Sequence, residues 1–405
     1  MSIASVKPNF LALPSAVLLA LTLSSCEKRE PPSGERTPTE NMPPAPAPVP
    51  PPPAAPAPEL RSGKMTSPEQ TADVESKDAL KVADSDMKKE LAELDALGAK
   101  PIATLGVAEA RKQPTLFDAQ TALLKKEGKT PTPLAMAKVD DRKVPGPAGQ
   151  IPLRIYVPKL EGKEKGTPGV IVYYHGGGFV LGDLNSHDAS ARAIAKGAQA
   201  IVVAPDYRRA PEHKFPAAHD DAFAAYEWVV KNAAAIGGDP KRIALAGESS
   251  GGNLAVNVAL MARDRKDKGM QQPLHQLLIH PIAQTSLETR SYKEWSNGKP
   301  LDKATMGWFF DKLVRSPEDK RDPRLQLVDA PMKGVAPATI VLAEIDPLWS
   351  DGEMLYHAIN EAGVKAEKKT YDGVTHGFFG LGASVGDAKS AEDWATGRLK
   401  DALKP

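Results

Sequence analysis

Two glycine-rich stretches and two isolated residues carry groups suited to covalent catalysis. Gly247-Glu248-Ser249-Ser250-Gly251 sets a serine between glycines, after the apolar run 243–246 and before a helical pattern beginning near Gly252. In a strand–turn–helix context the middle serine sits in a strained turn with its hydroxyl exposed, and the helix behind it directs its positive end at developing negative charge. An inert Gly-Ser turn has the same five letters, so the placement carries more weight than the string. His175-Gly176-Gly177-Gly178-Phe179 closes the apolar run 169–174. Three glycines let backbone N–H groups face a cavity, and with the N–H after the serine they could stabilise an oxyanion. A serine nucleophile also needs a base and an acid to orient it. Of eight histidines, His376 follows a predicted last strand, 368–371, in Asp372-Gly373-Val374-Thr375-His376-Gly377-Phe378. Asp346 stands just past the run 339–343 and is the preferred acid. Asp351 competes, but it begins the helical pattern 351–362, where a capping carboxylate is explanation enough.

Periodicity supplies the scaffold for these residues. Nearly continuous apolar runs at 169–174, 200–204, 243–246, 276–279 and 339–343 suit strands covered on both faces. Residues 151–157 alternate like an outer strand. Helical patterns at 187–197, 217–235, 251–262 and 351–362 lie between the runs. The expected class is α/β, a mostly parallel sheet with helices on both faces. Residues 70–140 read as helical and packed on the α/β region C-terminal to them.

Taken together the motifs resemble the hormone-sensitive-lipase group of α/β-hydrolases, the bacterial family IV esterases. The order Ser249, Asp346, His376 is the α/β-hydrolase order. Asp206-Tyr207-Arg208-Arg209-Ala210-Pro211-Glu212, Phe215-Pro216-Ala217-Ala218, Asp322-Pro323-Arg324 and Asp346-Pro347-Leu348 add to the likeness, which covers about residues 90–400. The resemblance implies Ser249 as nucleophile, Asp346 as orienting acid and His376 as general base. Gly176, Gly177 and Ser250 would donate the oxyanion-hole N–H groups. The family commonly has Asp and Ala where Glu248 and Ser250 stand; Glu248 is expected to keep the negative charge. A helical cap is expected from about 85–140 and 283–330. Tyr292, Trp295, Met306, Trp308, Phe309 and Phe310 could line an acyl pocket or simply pack that cap on the sheet. The expected activity is hydrolysis of short to medium acyl esters, without metal or organic cofactor. Amidase, thioesterase or deacetylase chemistry would use the same groups, since leaving-group choice lives in pocket shape. A binding protein on the same scaffold is the non-enzymatic alternative.

Composition bounds the partners. The 405 residues hold 52 basic and 51 acidic side chains, a balance that gives no electrostatic reason to expect nucleic acid as partner. The single cysteine excludes a disulfide framework within the chain. It is Cys26, in Leu23-Ser24-Ser25-Cys26, after Lys7 and an apolar run from Phe10 to Leu23 too short to span a bilayer comfortably. This resembles the lipobox of bacterial lipoprotein signal peptides, which implies an acylated Cys26 and a membrane-anchored protein of the cell envelope. Residues 31–58 contain 13 of the 38 prolines, the composition of a semi-rigid spacer reaching up to roughly 85 Å. The expected organisation is therefore signal peptide 1–25, tether 26–66, helical segment 67–140 and catalytic domain 141–405.

Overall fold

The computed structural model describes residues 74–160 and 166–405. The expectations for the signal peptide, Cys26 and the proline tract lie outside the described residues. Among the described residues, eight strands form a single sheet. They are β1 Met136–Gly146, β2 Gly149–Pro158, β3 Val170–Tyr174, β4 Ile201–Pro205, β5 Ile243–Glu248, β6 Gln276–Ile279, β7 Ala338–Ile345 and β8 Ala366–Thr375. Their order is β1-β2-β4-β3-β5-β6-β7-β8. β1 with β2 and β2 with β4 are antiparallel; every later pair is parallel.

The central strands are almost wholly apolar because helices cover both faces. Alternate residues divide between two cores. Val170, Val172, Tyr174, Ile243, Leu245, Leu278, Ile340 and Leu342 face one of them. It is completed by α6 (Ala217–Asn232), α7 (Ser250–Asp264) and α10 (Trp349–Glu361), through Phe223, Leu254, Val258 and Leu355. Ile171, Tyr173, Ala244, Ala246, Leu277, Ile279, Val341 and Ala343 face the other. There they meet α2 (Ser85–Ala96), α5 (Asp188–Ala198) and α11 (Gly386–Ala402), through Met87, Ile194, Ala391 and Leu399. Each fully buried aliphatic side chain contributes about 1.5–3 kcal/mol against exposure.

The reading of 70–140 as helical holds only in part. Helices α1 (Ala79–Val82), α2, α3 (Val107–Ala110) and α4 (Leu116–Lys126) are present, but Met136–Gly146 is a strand. Its alternation is hidden because it is the sheet edge: only Val144 is buried, so little apolar periodicity exists to read. Lys138 and Arg142 both pair with Asp140, at 3.1 and 2.8 Å, and Arg154 of β2 pairs with Asp141 at 2.6 Å.

The insertion before β7 supplies α8 (Arg290–Glu294) and α9 (Lys303–Leu313). It meets the N-terminal helices directly: Trp308 Nε1 donates to the Leu105 carbonyl at 3.2 Å, and Lys299 pairs with Asp95 at 2.7 Å. Tyr292, Trp295, Met306 and Phe310 are buried in the two cores.

Where α7 starts, backbone meets backbone. A Cβ on Gly251 would lie 2.0 Å from the Tyr174 carbonyl oxygen of β3, and one on Gly247 would lie 2.1 Å from the Gly251 oxygen. Neither neighbour is a side chain that can move aside. Gly251→Ala is therefore expected to cost about 3 kcal/mol or more, the upper range of overpacking. Denaturant unfolding measures this, and a midpoint equal to the parent's would contradict the packing described.

Candidate active site

Four adjacent strands each deliver one side chain at their carboxyl ends: Ser249 after β5, His280 after β6, Asp346 after β7 and His376 after β8. Crevices at the carboxyl ends of parallel strands are where open α/β sheets bind ligands. Ser249 has φ 54° and ψ −115°, outside the ordinary regions for a residue with a side chain. Its N–H donates to the Ile279 carbonyl at 2.9 Å, and its carbonyl accepts from Ile282 N–H at 3.1 Å. β6 thus holds the turn from the side. The hydroxyl does not cap α7. The Ser250 N–H is the first of that helix and has no intrahelical acceptor.

Asp346 is fully buried. Its Oδ2 accepts from His376 Nδ1 at 2.8 Å and its Oδ1 from Leu348 N–H at 2.8 Å. The first bond requires the proton on Nδ1, which leaves His376 Nε2 free to accept another. Asp351 sits elsewhere and does something else. It is the third residue of α10 rather than its cap, and it is fully buried. Its carboxylate accepts from the N–H groups of Ala283 and Gln284 at 3.0 and 3.3 Å, so it braces the loop after β6. Burial pushes its pKa up to about 7.

The glycine loop lies against the serine turn. A Cβ on Gly176 would be 3.4 Å from Ser249 Cβ. The expectation that Gly176 donates to an oxyanion is corrected, because its N–H already donates to His187 Nε2 at 3.1 Å. The N–H groups of Gly177 and Gly178 have no acceptor among the described residues. Gly177 has φ 113°, and a Cβ there would lie 2.2 Å from the Leu181 oxygen, so no other residue fits. The Phe309 ring of the cap presses on Gly178: a Cβ there would be 2.2 Å from it.

A cavity of about 470 Å³ opens beside His376, lined among others by Gly177, Leu181, Arg209, Glu248 and Phe379. None of the six cap residues expected around an acyl group lines it; they pack the cap, with Phe309 closing the glycine loop. A larger cavity, about 600 Å³, lies between α4, α5 and α11 and contains none of Ser249, Asp346 or His376. Glu248 departs from expectation too. It is buried, accepts from the Tyr173 hydroxyl at 2.5 Å, and burial raises its pKa to about 7. Near neutrality it carries a full negative charge only part of the time.

Two histidines escaped the sequence reading. His187 is the residue before α5, where nothing distinguishes it from an ordinary cap. His280 interrupts an apolar strand end at φ 35°, a backbone conformation that a sequence does not display. Its ring lies 4.1 Å from that of His376, and neither ring nitrogen has a partner among the described residues. Burial holds its pKa well below the usual histidine value, so it stays neutral. Donor atoms of His280, Asp346 and His376 lie within 4.8 Å of one another. A transition metal would have to displace the Asp346–His376 hydrogen bond to use all three.

An oriented serine turn, a buried carboxylate–imidazole pair and a loop of free amides on a mostly parallel sheet define the α/β-hydrolase class. Residues 171–380, more than half of the chain, match the family model described as alpha/beta hydrolase fold, and the chain belongs to that family. It is 40% identical over 255 residues to the carboxylic ester hydrolase LipN of Mycobacterium tuberculosis, covering 62% of this chain and 67% of that protein. It is 32% identical over 289 residues to the ethyl acetate hydrolase of Pseudomonas putida, covering 71% of this chain and 88% of that one. Among solved structures, the hyperthermophilic esterase of Pyrobaculum calidifontis superposes with a TM-score of 0.69 at 34% identity, covering 79% of this chain and 98% of that one.

The two carboxylates separate in a mutation experiment. Asp346→Asn, which loses the tautomer control, should lower kcat by about 10⁴, as in the measured serine-protease case. Asp351→Asn should chiefly lower the unfolding midpoint. Equal losses of kcat in both variants would contradict the division of roles.

Proposed function

We propose that this chain is a serine carboxylic ester hydrolase working through an acyl-enzyme. The observation that carries the reading is the 2.8 Å bond from His376 Nδ1 to the buried Asp346, set at the carboxyl ends of the strands that also present Ser249. The named activities of the relatives support the ester as substrate class.

In the first half-reaction Ser249 Oγ forms a bond to the ester carbonyl carbon while its proton passes to His376 Nε2. The electron pair displaced onto the carbonyl oxygen is met by the N–H groups of Gly177, Gly178 and Ser250. Asp346 holds the ring and balances the imidazolium. Collapse of the tetrahedral intermediate breaks the carbon–alkoxy bond, and the alcohol leaves with the proton from His376. Water repeats the sequence in the second half: His376 takes its proton, hydroxide adds to the acyl carbon, and Ser249 leaves reprotonated with release of the acid.

Short to medium acyl groups are the favoured substrates. The support is the bulk of Phe309 over the glycine loop and the limited cavity beside His376. The tethered location is a further part of the reading, supported by Leu23-Ser24-Ser25-Cys26 and by the proline tract after it. No described helix is long and apolar enough to cross a membrane, so attachment would depend on acyl chains at Cys26. Each buried CH₂ of such a chain contributes about 0.8 kcal/mol.

Three measurements test these parts separately. Ser249→Ala should lower kcat on p-nitrophenyl butyrate by roughly a millionfold and abolish labelling by a fluorophosphonate; a variant as fast as the parent would refute the nucleophile. A p-nitrophenyl series from acetate to palmitate should favour the shorter acyl groups, and fastest turnover of palmitate would refute the size argument. Expressed in a bacterium, the full chain should take up labelled palmitate and enter the detergent phase, while Cys26→Ser should do neither. Partition of both into the aqueous phase would refute the tether.

A further inference from the structure

The histidine before α5 is not used by the mechanism above, yet it is half-buried beside the glycine loop and lines the same cavity as His376. An N-cap side chain ordinarily turns back to accept from the N–H groups of its own helix. His187 makes no such bond. Its ring points the other way, and Nε2 accepts the Gly176 N–H at 3.1 Å. At the opposite corner of the ring, Nδ1 lies 2.9 Å from Ser186 Oγ.

The protonation of this ring is forced by its partners. Ser186 Oγ donates to the Asp183 carbonyl at 3.0 Å and accepts from the Asp183 N–H at 2.8 Å. A hydroxyl has one proton, so Ser186 can only accept from Nδ1. Nε2 must be bare to accept the Gly176 N–H. His187 is therefore neutral and carries its proton on Nδ1. Burial, the largest influence, lowers its pKa to about 3, so it keeps that state throughout the neutral range. The neighbouring titratable groups are His175, whose ring centroid is 5.6 Å away, and Asp183 and His376, which line the same cavity.

The loop itself is a series of pinned peptide planes. The His175–Gly176 peptide is held at its carbonyl by the Tyr207 hydroxyl, 2.8 Å, and at its N–H by His187. The Gly176 carbonyl accepts from His175 Nδ1 at 2.8 Å. The Gly177 carbonyl accepts from the N–H groups of Val180 and Leu181 at 3.0 and 2.7 Å. A peptide is planar and trans, so fixing a carbonyl turns the following N–H to the opposite side. The free N–H groups of Gly177 and Gly178 are aimed in this way. Glycines have no side-chain packing of their own to hold those planes.

We propose that His187 is a positioning residue for the oxyanion-binding amides: as a neutral acceptor it locks the first peptide of the glycine loop, the anchor from which the planes carrying the next two N–H groups continue. The proposal rests on the ester-hydrolase reading and deepens it. A residue of this kind acts when charge appears on the carbonyl oxygen, so its loss should fall on the transition state and not on ground-state binding.

The test uses p-nitrophenyl butyrate and a phosphonate that mimics the tetrahedral intermediate. His187→Phe should lower kcat by about 10- to 100-fold, short of the roughly 10²–10³ lost when a donor is deleted outright. KM should stay within about twofold, and inactivation by the phosphonate should slow by the same factor as kcat. His187→Gln, which offers an amide oxygen to the Gly176 N–H, should recover most of the loss. Ser186→Ala removes the acceptor that fixes the tautomer and should show a smaller fall of the same kind. Should His187→Phe not fold, the Gln and Ala variants carry the test by the same split between kcat and KM. A folded His187→Phe with the parent's kcat, a loss confined to KM, or a Gln variant no better than Phe would each overturn the proposal. An inactive parent would instead refute the hydrolase reading beneath it.

Discussion

The close approach of α7 to the sheet is the constraint on which the site depends. Gly251 allows the helix to begin within contact of the Tyr174 carbonyl, and Gly247 allows the strand to turn beneath it. With the helix so close, the chain between has one sharp path, and Ser249 takes the left-handed conformation it requires. Holding a non-glycine residue there costs of order 1–3 kcal/mol, which the surrounding packing must offset. In return the serine stands clear of both elements, while the next N–H points off the helix start. The same tight layer brings the end of β3 beside the end of β5, so that the glycine loop and the serine turn share one wall.

Around this point the electrostatics are sparse. Glu248 and Asp351, both buried, have their pKa values raised to about 7, while His187 and His280 are held neutral by burial. Between pH of about 4 and 7 the two carboxyls favour folding less as pH rises, because the folded state holds protons that the unfolded chain releases. His187 works in the other direction over roughly pH 3 to 6.5, since the unfolded chain binds a proton that the folded state refuses. These opposed slopes partly cancel. Asp346 has one oxygen engaged by a backbone N–H and the other by the His376 ring. A site with few competing charges lets a single developing negative charge be felt strongly by a few oriented amides.

Much of this was legible in the sequence, for a physical reason. Strands covered on both faces need apolar residues at every position, and turns that pass backbone against backbone need glycine; both requirements leave plain marks. The runs at 169–174, 243–246 and 339–343 correspond to β3, β5 and β7, and Ser249, Asp346 and His376 all fall at strand ends. What failed was governed by exposure or by side-chain direction. β1 showed no alternation because water covers most of it. Gly176 looked the same as Gly177, since only a neighbouring ring, His187, decides which amide is free. The cap aromatics gave no sign of which way they face. Asp351 resembled a cap because a helix start and a cross-loop brace use the same residue type in the same position.

The two edges of the sheet are unequal in sequence and in burial. β1 ends the sheet with Lys138, Asp140, Asp141, Arg142 and Lys143 in one stretch, several of them paired to each other or to β2. Another strand could hydrogen-bond there only by crowding these charges against its own, and natural sheets use such edges to avoid growing by addition. The sheet is therefore finished on this side by charge, its outermost strand offering an added strand little apolar surface to pack on.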